Sequence, residues 1–396
     1  MTSGSRIIPI DAFIQPYAWG SATQLAEFLE VPPTGSPMAE AWFGVHPAGP
    51  SSVADDPERR TLADVLRSNG QELSFLLKVL SIAAPLSLQL HPTIDQARAG
   101  FADENRRGVE LHDPLRVFRD ENHKPELICA LTELDALCGF RARGETIDLL
   151  ETIGGELAGT VARQLRAGDE LRDLVRRLLL PVQSVTDRQR FDSFVAGAVA
   201  AGEREPDPER RRGLRWIGTL GANYRYDGGV VVASLLNCVR LQPGEALFLD
   251  AGNMHAYLHG LGVEIMANSD NVVRGGLTTK HIAIDVLTEL VDVSPSRIPL
   301  VTAKHTLLPG GATVETWPVP VRDFSLARVT VGPETPGELT LGRFPAILLC
   351  SEGSISISTD SGVISIEKGR SVYVAPSQDL SFAGRGEFFV ASSTDR

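Results

Sequence analysis

Between residues 145 and about 200 the spacing of apolar residues changes, and that change limits the architectures open to this chain. Ile147, Leu149, Leu150, Leu157, Val161, Leu165, Leu171, Leu174, Val175 and Leu178 recur every three or four positions with charges between them. That is the period of helices burying one face. A charged, proline-rich turn at 202–208 closes the stretch, and 214–220 starts a further helical piece. The flanking texture is β. From Ile7 to about Leu90, short strand-like runs alternate with Pro and Gly breaks, with helical patterns only at 61–67 and, after His91-Pro92, at 93–107. From Gly228 onward, Val230-Val231-Val232, Cys238-Val239-Arg240-Leu241 and Ala246-Leu247-Phe248-Leu249 read as strands, the last two joined by a Pro243-Gly244 turn. A second β block fills about 310–396, with Ala346-Ile347-Leu348-Leu349, Ser354-Ile355-Ser356-Ile357-Ser358 and Val363-Ile364-Ser365-Ile366. The expected order is β, helical insertion, β, more β: a mainly β chain with an α insertion. With 396 residues, 43% of them hydrophobic, it exceeds a single core. The expected division is 1–144 with 213–300, an insertion at 145–212, and a last unit at 301–396.

The two β blocks share a weak repeat. Leu241-Gln242-Pro243-Gly244-Glu245-Ala246-Leu247-Phe248-Leu249 resembles Ile366-Glu367-Lys368-Gly369-Arg370-Ser371-Val372-Tyr373-Val374, each a strand end, a glycine turn and a returning strand. Eleven residues past the glycine stands His255 in the first copy and Leu380 in the second. If the copies are equivalent, only the first carries a metal-ligating side chain there.

Lys plus Arg number 38 against 50 Asp plus Glu, a net charge of −12, without a long block of one sign. A nucleic-acid-binding surface is not expected, because phosphate backbones require a positive patch. A phosphorylated small molecule needs only a few local cations. Cys129, Cys138, Cys238 and Cys350 are far apart in apolar runs and form no C-x-x-C pair, so they read as buried thiols of a reducing compartment. No apolar run approaches the roughly 20 residues of a membrane span, and residues 1–6 carry no signal-peptide hydrophobic region. A cytoplasmic location is the default expectation.

Three polar clusters carry the chemistry. In Ser87-Leu88-Gln89-Leu90-His91-Pro92, strand alternation aims Ser87, Gln89 and His91 one way while Leu88 and Leu90 pack. In Asp120-Glu121-Asn122-His123-Lys124-Pro125-Glu126, Pro125 holds Lys124 extended, so Lys124 and Glu126 share a face. They form either a plain ion pair or a metal ligand beside a charged acid–base or substrate contact. The third runs from Gly252-Asn253-Met254-His255-Ala256-Tyr257, with His255 and Tyr257 on one face, to Glu264-Ile265-Met266-Ala267-Asn268-Ser269-Asp270-Asn271-Val272-Val273-Arg274. Gln89, His91, Glu126 and His255 together offer two imidazoles, a carboxylate and an amide oxygen, a set that suits zinc and leaves room for water or a substrate oxygen.

Along almost its whole length the sequence resembles the type I mannose-6-phosphate isomerases. Phe118-Arg119-Asp120-Glu121-Asn122-His123-Lys124-Pro125-Glu126 resembles that family's Y-x-D-x-N-H-K-P-E signature, with Phe118 for the tyrosine, and the segment from His255 through Arg274 to Lys280 resembles its second. Supporting matches are Gln15-Pro16-Tyr17-Ala18-Trp19-Gly20, Ala39-Glu40-Ala41-Trp42-Phe43-Gly44 with His46-Pro47, and Phe75-Leu76-Leu77-Lys78-Val79-Leu80. Gly275 stands where the family usually has alanine, and Thr279 where proline usually precedes the lysine. The resemblance implies two cupin-type jelly-roll barrels with an inserted helical domain, the C-terminal barrel metal-free. It implies one zinc per chain on residues matching Gln89, His91, Glu126 and His255, and interconversion of mannose 6-phosphate and fructose 6-phosphate through an enediol-like intermediate. It puts Arg274 in the role of stabilising that intermediate, unless Arg274 merely pairs with Asp270. Lys124, Glu264 and Asp270 become candidates for proton transfer, and Ser87, Lys78, Tyr257 and Lys280 for substrate contacts. The other histidines read as packing or surface residues, with His123 the exception to watch. The expected partner is a small sugar phosphate, with no nucleic acid or membrane, on a monomer. The alternatives are an isomerase of a related sugar phosphate and a cupin metal-dependent oxygenase, which would use iron and have no need of the Lys124 and Arg274 signatures.

Overall fold

A computed structural model describes residues 7–360 and 362–394, so the reading of residues 1–6 lies outside the described residues. Two antiparallel sheets dominate it, of eleven and ten strands among the described residues. The first is organised around the strand His255–Ala267. Its C-terminal half pairs with Phe75–Ile82 on one side and Glu126–Ala130 on the other. Its N-terminal half pairs with Leu134–Phe140 and, at His255, with Gln89 of the short strand Leu88–Leu90. A register shift between Tyr257 and His259 marks where the strand bends from one set of partners to the other. One strand thereby carries His255, Tyr257 and Glu264.

The second sheet holds the C-terminal strands. The strand Ala346–Thr359 merges the two runs read separately at 346–349 and 354–358, and Asp379–Ser392 lies along it. Residues 7–11, grouped by sequence with the first β block, instead pair with Ser371–Val374 of this second sheet. Hydrophobic pattern alone does not choose a sheet: it marks Ile7 and Ile10, both buried here, as apolar, and the pairing that buries them is a long-range choice. Phe43, Phe75, Trp317, Tyr373 and Phe389 belong to one buried cluster that joins strands of both sheets.

The proposed repeat has a structural counterpart. Strand Leu236–Leu241, a turn at Gly244, then Ala246–Leu249 and His255–Ala267 are matched by Gly362–Glu367, a turn at Gly369, then Ser371–Val374 and Asp379–Ser392. Gly244 and Gly369 both adopt left-handed φ, 89° and 78°, which any side chain would strain. His255 opens one returning strand; Leu380, buried, is the second residue of the other.

Between Leu134–Phe140 and Leu236–Leu241 the chain forms helices from Arg143–Ile153 to Pro208–Asn223, followed by a short helix Gly229–Ala233. The helical run starts slightly before 145 and passes well beyond 212. Val230–Val232, read as a strand, is therefore helical. The run is too short for its period to decide, it is buried on all sides, and the Asp227 carboxylate accepts the Gly229 N–H at 2.7 Å, which starts a helical turn. The helices expected at 61–67 and 93–107 form as Leu62–Ser68 and Ile94–Arg106, each with a capping box on the preceding threonine. The four cysteines are buried and unbonded. Among the described residues no helix is long and apolar enough to cross a membrane.

Candidate metal and substrate site

His91 follows the strand Leu88–Leu90, while Glu126 and His255 each open a strand, yet their ligand atoms lie within 4.8 Å of one another. All three are buried. Each imidazole is held by its Nδ1, which donates to a main-chain carbonyl: Asn271 O at 2.7 Å for His91 and Asn253 O at 2.9 Å for His255. A carbonyl only accepts, so Nδ1 carries the hydrogen and Nε2 presents a lone pair. Those Nε2 atoms sit 3.2 and 3.5 Å from the Glu126 carboxylate. Both, and Glu126 Oε2, are buried without a hydrogen-bond partner. Three converging acceptors, orphaned in the interior, are costly unless a cation shares them. Burial pushes the His91 imidazole down to about 4 despite the pull of Glu126, so it stays neutral, as a ligand must. Burial opposes ionisation of Glu126, but the Lys124 ammonium beside it outweighs this and holds the carboxyl well below its ordinary range. Gln89, opposite His255 in the strand register, brings an amide oxygen that accepts the Ser87 hydroxyl at 3.2 Å. The donor set fits one divalent cation of borderline hardness.

Beside these groups lies a second buried charge cluster. Lys124 Nζ is 3.4 Å from Glu126, confirming a shared face for that pair. Lys78 faces Glu264 across the strand pair and sits 3.3 Å from it and 3.5 Å from Glu40. Burial disfavours the Lys78 charge, but Glu40, Glu264 and Glu126 more than compensate and keep it protonated. Glu40 also accepts the indole N–H of Trp42, whose ring lies 5.4 Å from the Lys78 ammonium. Three carboxyls thus meet two ammonium groups. The imbalance falls on Glu264, whose carboxyl is pushed up to about 7 by burial and the Glu126 charge. A group raised in this way stabilises the fold below its unfolded value, near 4.5, and that contribution is lost as pH rises through about 7. Chelator-treated protein is accordingly expected to melt at progressively lower temperature between about pH 4.5 and 7, and Glu264→Gln should flatten that profile. A thermal melt series showing the same slope in both proteins would refute the assignment.

The two signature segments are knotted together by Asn271, which is fully buried. Its amide donates to Asp120 O at 2.9 Å and Asn122 O at 2.8 Å, and its oxygen accepts Arg119 N–H at 2.6 Å. Replacing it with leucine should cost about 3 kcal/mol, read from the urea midpoint with metal present, because these main-chain groups lose their partners.

Asp270 does not pair with Arg274. It lies 3.4 Å from His46, whose Nδ1 accepts the Ala48 N–H at 3.3 Å and so leaves Nε2–H for the carboxylate. Contact with His46 holds the Asp270 carboxyl below its usual value. Arg274 is opposite Gln89 in the strand register and among the described residues makes no ion pair. Burial and Arg119 lower its affinity for a proton, and burial, Arg274 and Arg119 do the same for Lys280. These three cations therefore form a positive arm next to the ligand cluster. His255 and Tyr257 share a face as expected, with ring centroids 6.1 Å apart, and the Tyr257 hydroxyl is buried without a partner. His123 binds Asp323 at 3.0 Å, linking the first signature to the segment before the second sheet's strand Ser325–Val331.

Glu40, His46 and Arg119 were not singled out by sequence reasoning as site residues. Arg119 lies inside the first signature segment, and Glu40 and His46 inside the supporting matches, which is the signal that could have found them.

Residues 7–143 match the family described as phosphomannose isomerase type I, catalytic domain. Mannose-6-phosphate isomerase of Escherichia coli (strain K12) is 35% identical over 382 residues, 92% of this chain and 94% of the relative. The enzyme of that name from Salmonella typhimurium is 33% identical over 94% of this chain and 96% of the relative. A solved zinc-bound mannose 6-phosphate isomerase superposes with a TM-score of 0.87 at 31% identity, covering 99% of this chain and 100% of that one.

Proposed function

The chain belongs to the mannose-6-phosphate isomerase family, and from that premise we propose that it interconverts D-mannose 6-phosphate and D-fructose 6-phosphate at the cluster around His91, Glu126 and His255. The observation that carries this reading is the trio of buried, unpartnered ligand atoms on those residues, to which Gln89, opposite His255, would add an amide oxygen. They would hold one zinc ion, which when bound supplies Lewis acidity to the substrate's oxygens.

The chain's own residues account for the remaining needs of the reaction. Aldose–ketose isomerisation moves a proton between adjacent carbons while negative charge develops on oxygen. A fixed cation that meets this charge accelerates the step. Arg274, which has no carboxylate partner among the described residues, would take that role, with Arg119 and Lys280 beside it for the phosphoryl group. Glu264, whose carboxyl burial and the Glu126 charge push up to about 7, would serve as the general base. Lys78 keeps its charge and fixes the Glu264 carboxylate, while Lys124 and Asp270 are further proton-transfer groups at the site. Ser87 orients the Gln89 amide, and the Tyr257 hydroxyl offers a substrate contact.

The same premise supports a cupin reading of the fold: a metal-binding barrel around His255–Ala267, a helical domain from Arg143 to Asn223 inserted between its strands, and a second barrel from 301 onward, joined by residues 7–11 and lacking the ligand at Leu380. A monomer acting on a small sugar phosphate in the cytoplasm, without nucleic acid or membrane, completes the proposal.

A coupled assay on mannose 6-phosphate tests it. Fructose 6-phosphate should form, formation should stop after chelation, and zinc should restore it. Absence of conversion, together with iron-dependent oxygen uptake, would instead establish the oxygenase alternative.

A further inference from the structure

A cleft of about 480 Å3 lies where the helix Pro208–Asn223 packs over the strands Leu134–Phe140 and Leu236–Leu241, and none of its lining residues belongs to the cluster described above. Its helix wall presents Arg211, Arg212, Arg215 and Trp216, and its strand wall presents Asp135 and Arg240. Arg211 and Arg215 are four residues apart, so two like charges share one helix face, an arrangement that destabilises a helix unless something neutralises it. Among the described residues no carboxylate pairs with either of them. Asp135, buried in the cleft floor, accepts Arg240 Nε and a second Arg240 nitrogen, both at 2.8 Å, and the Trp216 indole N–H at 2.9 Å. Glu133 lies 2.9 Å from the same Arg240. The carboxylates of this region are thus committed to one arginine. Arg212 reaches Asp135 only at 3.8 Å, and its Nε is buried with no hydrogen-bond partner. Arg215, exposed, makes no ion pair among the described residues, and Arg211 donates only to the Pro206 carbonyl, at 3.2 Å. In a chain of net charge −12, a cleft with four guanidinium groups against two carboxylates is a local reversal of sign.

We propose that this cleft is a second binding site, separate from the isomerase site, for a ligand that carries a phosphoryl dianion. Guanidinium forks match phosphoryl oxygens in pairs, which ammonium groups or an isolated charge do not. An anion seated between Arg211 and Arg215 removes their repulsion. The half-buried Trp216 ring forms part of the same wall and borders any organic portion of the ligand.

The test uses the zinc-loaded full chain grown with 5-fluorotryptophan. Its four tryptophans give four fluorine resonances, with Trp216 assigned through W216F. Inorganic phosphate and ADP are titrated separately at constant ionic strength; the first presents the anion alone and the second adds a nucleoside. The Trp216 resonance should shift saturably with at least one of them. The double variant R211Q/R215Q should weaken that apparent affinity by about tenfold or more, because two of the charge-assisted contacts are lost. Phosphate at the isomerase site would meet Arg119 and Lys280, neither of which lines this cleft, so Lys280→Gln should leave the Trp216 shift unchanged and the two events are told apart. A Trp216 resonance that stays still with both probes, that follows added sodium chloride equally well, or that responds identically in R211Q/R215Q overturns the proposal, whatever becomes of the isomerase reading.

Discussion

Replacing His255 with alanine is expected to strip the metal from the protein and to lower turnover by more than about 100-fold, beyond what losing an outer-sphere partner of a metal ligand costs. The reason is geometric. His255 Nε2 is one of three buried ligand atoms within 4.8 Å of each other, and its ring orientation is set by the Nδ1 bond to Asn253 O. Alanine leaves His91 and Glu126 with too few donors to compete with water for the ion. Metal analysis should find a loss from about one zinc per chain to a small fraction, since binding to fewer ligands is weakened steeply. Zinc should also cease to raise the melting temperature, because only a ligand that binds the native state stabilises it. Glu126→Gln makes an independent check with almost no change in volume: it keeps the shape of the side chain but removes the negative charge that both imidazoles face at 3.2 and 3.5 Å. Undiminished zinc in either variant would remove that residue from the ligand set.

The parts of this site that were legible in the sequence are those governed by local geometry. Alternation along a strand placed Gln89 and His91 relative to the packed Leu88 and Leu90, and proline at 125 put Lys124 and Glu126 on one face. Both expectations follow from two or three consecutive residues. Glu40 and His46 are different. Their roles depend on which strand lies next to which: Glu40 reaches Lys78 because Glu40–Phe43 pairs with Phe75–Ile82, and Lys78 in turn faces Glu264 from a segment far along the chain. Such register is a property of the assembled sheet and leaves no periodic trace. The same holds for residues 7–11, whose alternation suits either sheet, and which are claimed by Ser371–Val374. The strand reading of Val230–Val232 fails for the opposite reason: a β-branched run after two glycines favours a strand by propensity, and burial with an aspartate start overrides it.

Substituting Arg274 by lysine should lower turnover by about 100- to 1,000-fold while zinc content stays unchanged, the range seen when one preorganised donor to a developing oxyanion is removed. Lysine preserves the charge, so any loss measures the planar fork and its reach rather than electrostatics at a distance. The position favours a large effect. Arg274 stands opposite Gln89 in the strand register, so it projects from the rim of the ligand cluster, and among the described residues no carboxylate holds it back. Its nearest influences are the like charges of Arg119 and Lys280. Three cations gathered without an acid are unfavourable in the empty site and become favourable when an anionic substrate arrives. Binding energy so arranged should divide between them in a way kinetics can read. Lys280→Gln should raise KM more than it lowers kcat, as expected for a contact to the unreacting phosphoryl group, whereas Arg274→Lys should act mainly on kcat. Equal effects on KM from both variants, with kcat untouched, would place Arg274 in phosphate binding and leave the developing charge to other groups.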